Sequence, residues 1–288
     1  MRQKECVAPM VVMSRQAALK KIFLVVGASL MAKYTVTLTI WLAREFKACV
    51  VIAHVAEASE NGHRGPQMLR IGQSEDRRKR MEEIRRVKSQ IAGAGIEAKT
   101  VYREVSRASV ELSRLANQRR AELIITESIG KASEELIGKS HCPVLMVGPR
   151  ADREQGGHHV LKSMVFLTYR SLASMADAVY AFSLAEVLGA RLLVVLCESS
   201  ENDLSESDFL EQASATVIGV DWESWKHAGE PSHTSVLVDA LACIDQAHAN
   251  LAIVSGQMTL SWEREKVQTV HELIQHAACP VMILPWSR

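Results

Sequence analysis

Residues 121–125 read Ala-Glu-Leu-Ile-Ile and lead, after a gap, to Cys142-Pro143-Val144-Leu145-Met146-Val147. The phrase returns as Ala-Asn-Leu-Ala-Ile at 249–253, followed by Cys279-Pro280-Val281-Met282-Ile283-Leu284. The two Cys-Pro pairs are separated by close to half of the 288-residue chain. Each apolar run is short, uncharged and rich in Val, Ile and Leu, which is how a strand buried on both faces of a parallel sheet reads. A repeat this long implies two complete domains; the units of a solenoid are much shorter.

Working outward, Ile22-Phe23-Leu24-Val25-Val26 reads as a strand that stops at Gly27-Ala28-Ser29. Helical spacing of Val36, Ile40 and Ala43 follows, then the strand Cys49 to Val55. Met81, Ile84, Val87 and Ile91 give a charged helix one apolar stripe, and Gly93 and Gly95 end it. Ile96 to Val105 alternates like a half-exposed strand, and Ser106 is placed to cap the next helix. The second half repeats this order from Met164 to Leu284. Strand–helix alternation at these lengths demands right-handed crossovers and helices on both faces of a parallel sheet. The expected fold is α/β, with two tandem doubly wound five-stranded domains, each with its own core. Their bounds are 20–149 and 162–286, with 150–161 as linker.

The chain is 48% hydrophobic and 23% charged, an ordinary globular composition. Its net charge of +1 conceals an asymmetry: residues 1–150 carry 26 Lys and Arg against 15 Asp and Glu, residues 151–288 carry 8 against 18. Six scattered cysteines without a CxxC read as buried free thiols in a reducing cytoplasm. Val7 to Met13 is too short, and too interrupted by Pro9, for a secretory signal. Ile22 to Ala43 is long enough to span a bilayer, but Lys33 at its centre favours a strand, a turn and a buried helix over membrane insertion.

Each half resembles a universal stress protein domain. In the first half the resemblance rests on Lys21 to Val26, on the His54-Val55 strand end, and on Gly130-Lys131-Ala132-Ser133-Glu134 leading to Cys142-Pro143. Ala185-Glu186-Val187-Leu188-Gly189-Ala190-Arg191 and His276-Ala277-Ala278-Cys279-Pro280 carry it in the second. The resemblance implies strand order 3-2-1-4-5 and pairing of domains through their final strands. Here that means an intramolecular pseudo-dimer, doubled into a homodimer with basic half against acidic half. Gly148 to Leu161 is about 14 residues and reaches roughly 45 Å when extended, enough for such pairing.

Nucleotide-binding members of that family carry an Asp at the end of strand one and a Gly-x2-Gly-x9-Gly-Ser/Thr loop after strand four. In this chain the Asp position falls on Gly27 and Thr168. Of the loop, only Gly130-Lys131 remains in the first half; Met258 and Trp262 fill the second, with Val267-Gln268 in place of Gly-Ser. The residues left to hold a nucleotide or anion are Gly27, Ser29, Val55, Gly130 and Lys131, with ATP or AMP as the ligand and Lys131 supplying charge to phosphate.

Other motifs fail on spacing. Gly138-Lys139-Ser140 precedes a strand where a P-loop opens a helix. His271 and His276 lie five apart, off a common helical face, and imply no metal site. His141-Cys142 enters a strand with its side chains on opposite faces, so no activated thiol is expected. Arg77-Arg78-Lys79-Arg80 lacks interleaved aromatics, which argues against nucleic acid. No nucleophile–base pair or paired carboxylates assemble at the strand ends, so no enzyme and no catalytic residue is expected. The function this supports is a non-catalytic stress-response module, acting through an unknown protein partner or a weakly bound small ligand. The alternatives are an ATP- or AMP-binding protein using the first half, and a cytoplasmic regulatory partner of a membrane transporter.

Overall fold

Each uncharged apolar run forms a strand, and each amphipathic or small-residue stretch between them forms a helix. The computed structural model describes residues 19–27, 31, 33–57, 66–105, 107–127, 131–154, 161–197, 204–215, 217–226, 233–258 and 269–285. The first half contains β1 (Lys21–Val25), α1 (Lys33–Glu45), β2 (Cys49–Glu57), α2 (Pro66–Gly93), β3 (Ala98–Val105), α3 (Ala108–Gln118), β4 (Leu123–Glu127), α4 (Lys131–Lys139) and β5 (Val144–Val147). After α5 (Pro149–Glu154) come β6 (Ser163–Tyr169), a 3₁₀ turn (Leu172–Ser174), α6 (Met175–Leu188), β7 (Arg191–Cys197), α7 (Glu206–Ser214) and β8 (Trp222–Lys226). The chain continues through α8 (His233–Gln246), β9 (Leu251–Val254), α9 (Thr269–His276) and β10 (Val281–Ile283).

Local chemistry explains the boundaries. Ile84, Val87 and Ile91 of α2 are buried along one stripe, and the chain leaves the helix through Gly95 at φ +81°. Gly189 ends α6 in the left-handed region, φ 56°, with its N–H turned back to Ala185. The residue at the start of α3 is Arg107, whose side chain makes no capping bond; Ser106 lies outside the described residues.

The strands run in the order β3-β2-β1-β4-β5-β10-β9-β6-β7-β8. Each half is thus a parallel five-stranded sheet in order 3-2-1-4-5, read from its outer edge inwards. The two sheets meet antiparallel, with Leu145 of β5 opposite Met282 of β10. The expectation of a separate core for each half is corrected here, because this junction fuses them into one ten-stranded sheet with a continuous apolar layer on each face. One layer joins Ile22, Leu24, Phe166 and Leu192 beneath α1, α2, α5, α6 and α7. The other joins Phe23, Val51, Val165 and Ile253's neighbours Ala252 and Val254 beneath α3, α4, α8 and α9.

The junction is held by apolar burial. Every residue of β5 and β10 is buried, so each half covers the edge that the other would leave bare. Gly148, just after β5, lies against the carbonyl of Ile274 in α9. The segment read as a plain tether begins with α5, whose Ala151 is fully buried. Arg150 of α5 crosses to the second half, donating to His276 O at 2.8 Å and pairing with Asp245 at 3.1 Å. The basic run at Arg77 to Arg80 sits on α2, beside β3 and away from the junction. Surface charge is screened within about 10 Å at moderate salt, whereas buried apolar area is not. Halves expressed separately are therefore expected to associate, and to remain associated in about 0.5 M NaCl. Dissociation on adding salt, followed by sedimentation, would show that charge and not burial holds them.

Candidate functional site

Open parallel sheets gather ligands at the carboxyl ends of strands, where neighbouring crossovers diverge. In the first half that place lies beyond β1, between β2 and β4. Val26 N donates to Ala53 O at 2.8 Å, which sets Gly27 beside Val55 on the adjoining strand. Val55 is half-buried and packs on the α3 side of the sheet. On the other flank β4 ends at Thr126-Glu127, and α4 starts at Lys131. Topology therefore brings Gly27, Val55 and the backbone of Lys131 to one end of three adjacent strands. Ser29, Gly130 and the side chain of Lys131 lie outside the described residues.

A buried histidine closes this end. His54 Nδ1 is 2.7 Å from Val26 O, and a carbonyl only accepts, so Nδ1 carries the hydrogen. Nε2 is then an acceptor, buried and without a hydrogen-bond partner among the described residues. Burial, with the positive charge of Arg80, holds the imidazole below its ordinary pKa against the opposing effect of its backbone hydrogen bonding. Its ring stacks on Tyr102 at 5.6 Å, and Arg77 covers that tyrosine at 5.5 Å. The tyrosine hydroxyl donates to Glu104.

Met31, between β1 and α1, is held by α2. Buried Glu83 accepts from Met31 N at 2.9 Å and is bridged by Arg86, whose Nη2 also reaches Met31 O at 3.3 Å. The Arg86 hydrogen bonds hold the Glu83 carboxyl below its usual range, against the opposing effect of burial.

The second half is closed differently. Asp177, in the first turn of α6, reaches the end of β9, where its Oδ2 accepts from Gly256 N at 2.8 Å. Burial outweighs that bond and pushes the carboxyl up to about 7. Ser255 is fully buried and its hydroxyl accepts from Met258 N at 3.3 Å. Met258 itself is fully buried. Thr168 turns its hydroxyl to Tyr169 O. Trp262, Val267 and Gln268 lie outside the described residues.

Strand register refines the comparison of halves. Leu24 pairs with Ile52 as Phe166 pairs with Val194, so Val26 corresponds to Thr168 and Gly27 to Tyr169. The two positions assigned to the family's Asp are thus one residue out of step, and neither pair contains a carboxylate. The carboxylate near this end, Asp177, sits on a helix that no strand-based pattern inspects. Elsewhere, burial pushes the Cys142 thiol up to about 11, while His141 is exposed. Among the described residues no cluster of three or more His, Cys, Asp or Glu is arranged to hold a metal. Nor is any described helix long and apolar enough to cross a membrane.

Comparison with known proteins bears on the first half most directly. Residues 18–148 match the universal stress protein family, over all the elements from β1 to β5. The first half is a universal stress protein domain. No curated protein matches the sequence. Among solved structures, a universal stress protein from Archaeoglobus fulgidus DSM 4304 is similar over both halves. It has 16% identity and a TM-score of 0.69, covering 92% of this chain and 96% of that one. A putative universal stress protein from Pseudomonas aeruginosa UCBPP-PA14 is 11% identical with a TM-score of 0.58, covering 94% of each chain. At such identities these likenesses establish the fold, and the second half shares it with the universal stress protein half.

Proposed function

We propose that the chain is a tandem universal stress protein that works without catalysis, in the cytoplasm, through protein contacts or a weakly held small ligand. Its two units are residues 20–149 and 162–286. The observation that carries this reading is the bond between Asp177 and Gly256 N. It sets the protein's own carboxyl on a backbone donor at the strand end where a ligand anion would lie, with Met258 buried two residues further on. A site already occupied by the fold has little left to offer a phosphate. Self-association, basic half against acidic half, belongs to the same reading and follows from the sequence charges.

A second reading keeps a nucleotide, ATP or AMP, in the first half at Gly27, Ser29, Val55, Gly130 and Lys131. It is favoured by the convergence of Gly27, Val55 and the start of α4 at one sheet end. Calorimetry with ATP and mass spectrometry of molecules released on denaturation test both readings. The expected results are no stoichiometric adenine nucleotide, no ATP hydrolysis, and affinity weaker than about 1 mM, a binding free energy of only about 4 kcal/mol. Micromolar binding abolished by Lys131→Ala would overturn the first reading and establish the second.

A further inference from the structure

The two halves build the same helix-to-strand turns from residues of different charge. Entering the second strand of each half, Ala48 N donates to Ala43 O at 2.8 Å and Ala190 N to Ala185 O at 2.9 Å. Entering the fourth, Ala121 N donates to Ala116 O and Ala249 N to Ile244 O. Lys47 therefore corresponds to Gly189, Arg119 to Ala247 and Arg120 to His248. Lys20, whose carbonyl accepts from Cys49 N, corresponds to Lys162, whose carbonyl accepts from Arg191 N.

In the first half these turns set Lys47, Lys20 and the Arg119-Arg120 pair at the amino ends of β2, β1 and β4, three adjacent strands. All four side chains are exposed, and none pairs with a carboxylate among the described residues. Glu122, which lies between them, is turned inward: its Oε2 accepts from the main-chain N–H of Lys20 and, at 3.1 Å, from that of Lys21. Lys21 Nζ donates to Arg119 O at 2.7 Å and ties the arginine turn to β1. In the second half only Lys162 keeps a lysine or arginine, and its Nζ is occupied by Leu188 O.

Two of these cations stand where the backbone disfavours them. Lys47 has φ 52° and Arg120 φ 53°, a left-handed conformation that costs an L side chain and not glycine. Gly189, at φ 56°, shows that the turn at Lys47 closes with no side chain at all. The fold has no need of a cation there, so the strain points to a use outside it.

We propose that the surface formed by Lys20, Lys47, Arg119 and Arg120 docks a short acidic segment of a partner protein. The inference rests on the reading of function through protein contacts and adds the chemistry of the partner. Side-chain carboxylates suit the forked donors of two neighbouring arginines. Exposed Glu45 and Glu97 border the patch, so a continuous phosphate backbone or an anionic bilayer would have to cross like charges. Among the described residues no large exposed hydrophobic lies at this end of the first half. It therefore offers no stacking platform for bases and no apolar anchor for lipid. The patch is also at the opposite end of the sheet from Gly27 and Val55, so a partner here leaves that end open.

Fluorescence anisotropy of a labelled deca-glutamate peptide with the full chain tests this at about 0.05 M salt. The expected result is saturable binding that weakens roughly tenfold in the double variant Lys47→Gly, Arg120→Gly. Both substitutions relieve left-handed backbone, so this variant should melt at or above the wild-type temperature. Arg78→Gln with Arg85→Gln removes the same charge from α2 and should leave the affinity within about twofold. Equal weakening in the two double variants would reveal net charge alone and overturn the patch. Absence of peptide binding also overturns it, while the protein-contact reading falls separately, to micromolar ATP binding. Duplex DNA or phosphatidylserine vesicles that bind more tightly than the peptide, and are lost in the glycine variant, would assign the patch to phosphate and overturn the protein partner.

Discussion

Gly148→Ala is expected to destabilise the protein strongly. A Cβ at Gly148 would overlap the carbonyl oxygen of Ile274 and stand 2.9 Å from its carbon. Both partners are backbone, so no side chain can swing aside; β5 and α9 must separate. That separation strains the point where the halves are fused, beside the buried β5–β10 pair. Overpacking of this kind costs about 3 kcal/mol or more, which lowers the melting temperature by roughly 10 °C in a chain of this size. Gly93→Ala is the matched control, since its added methyl meets nothing within 4 Å. It sits at the end of α2, and a gain of about 0.5 kcal/mol is expected. Calorimetric melts of the two variants check the pair. Equal melting temperatures would show that the Gly148–Ile274 approach relaxes freely.

Asp177→Asn should change how stability depends on pH. The carboxyl is pushed from 3.8 to about 7 by burial, so between those values the folded state holds a proton that the unfolded state has released. Stability contributed by this group therefore falls as pH rises from about 4 to 7, and the ionised form is the disfavoured one above that. Integrated over the window, the loss is roughly 4 kcal/mol. Asparagine cannot ionise and still accepts from Gly256 N through its carbonyl oxygen. The variant should match or trail the wild type at pH 4 and exceed it at pH 8, with the crossing between. His54 works in the other direction, since its depressed pKa makes stability fall as pH drops below 6.5. Comparing variant with wild type cancels that contribution. Urea unfolding at several pH values gives the difference, and a difference independent of pH would mean that Asp177 is hydrated in the folded protein.

These two residues also mark where reading the chain stops being informative. Strands such as Ile22 to Val25 and Leu251 to Val254 were legible because burial on both faces leaves no room for charge. The α2 stripe was legible because 3.6-residue spacing is a local property. Pairing through the last strands was anticipated from the resemblance and from the need to cover two apolar edges. The union of both cores was not, because no local pattern records that two edges meet in register. Asp177 and Gly256 are 79 residues apart, and Met31 and Glu83 are 52 apart. Contacts over such distances depend on where whole elements dock. Gly148 reads as an ordinary linker glycine until α9 is set against it. His54 was noticed as a strand end, while the acceptor role of its Nε2 follows only from the 2.7 Å bond at Nδ1.

The antiparallel seam has one more consequence. With β5 and β10 running in opposite senses, the strand tips of one half open toward the side of the molecule where the other half shows its strand roots. The two strand-tip ends face away from each other. No small molecule seated at one strand-tip end can touch the other. The two ends are joined only through the shared sheet and the helices packed on it.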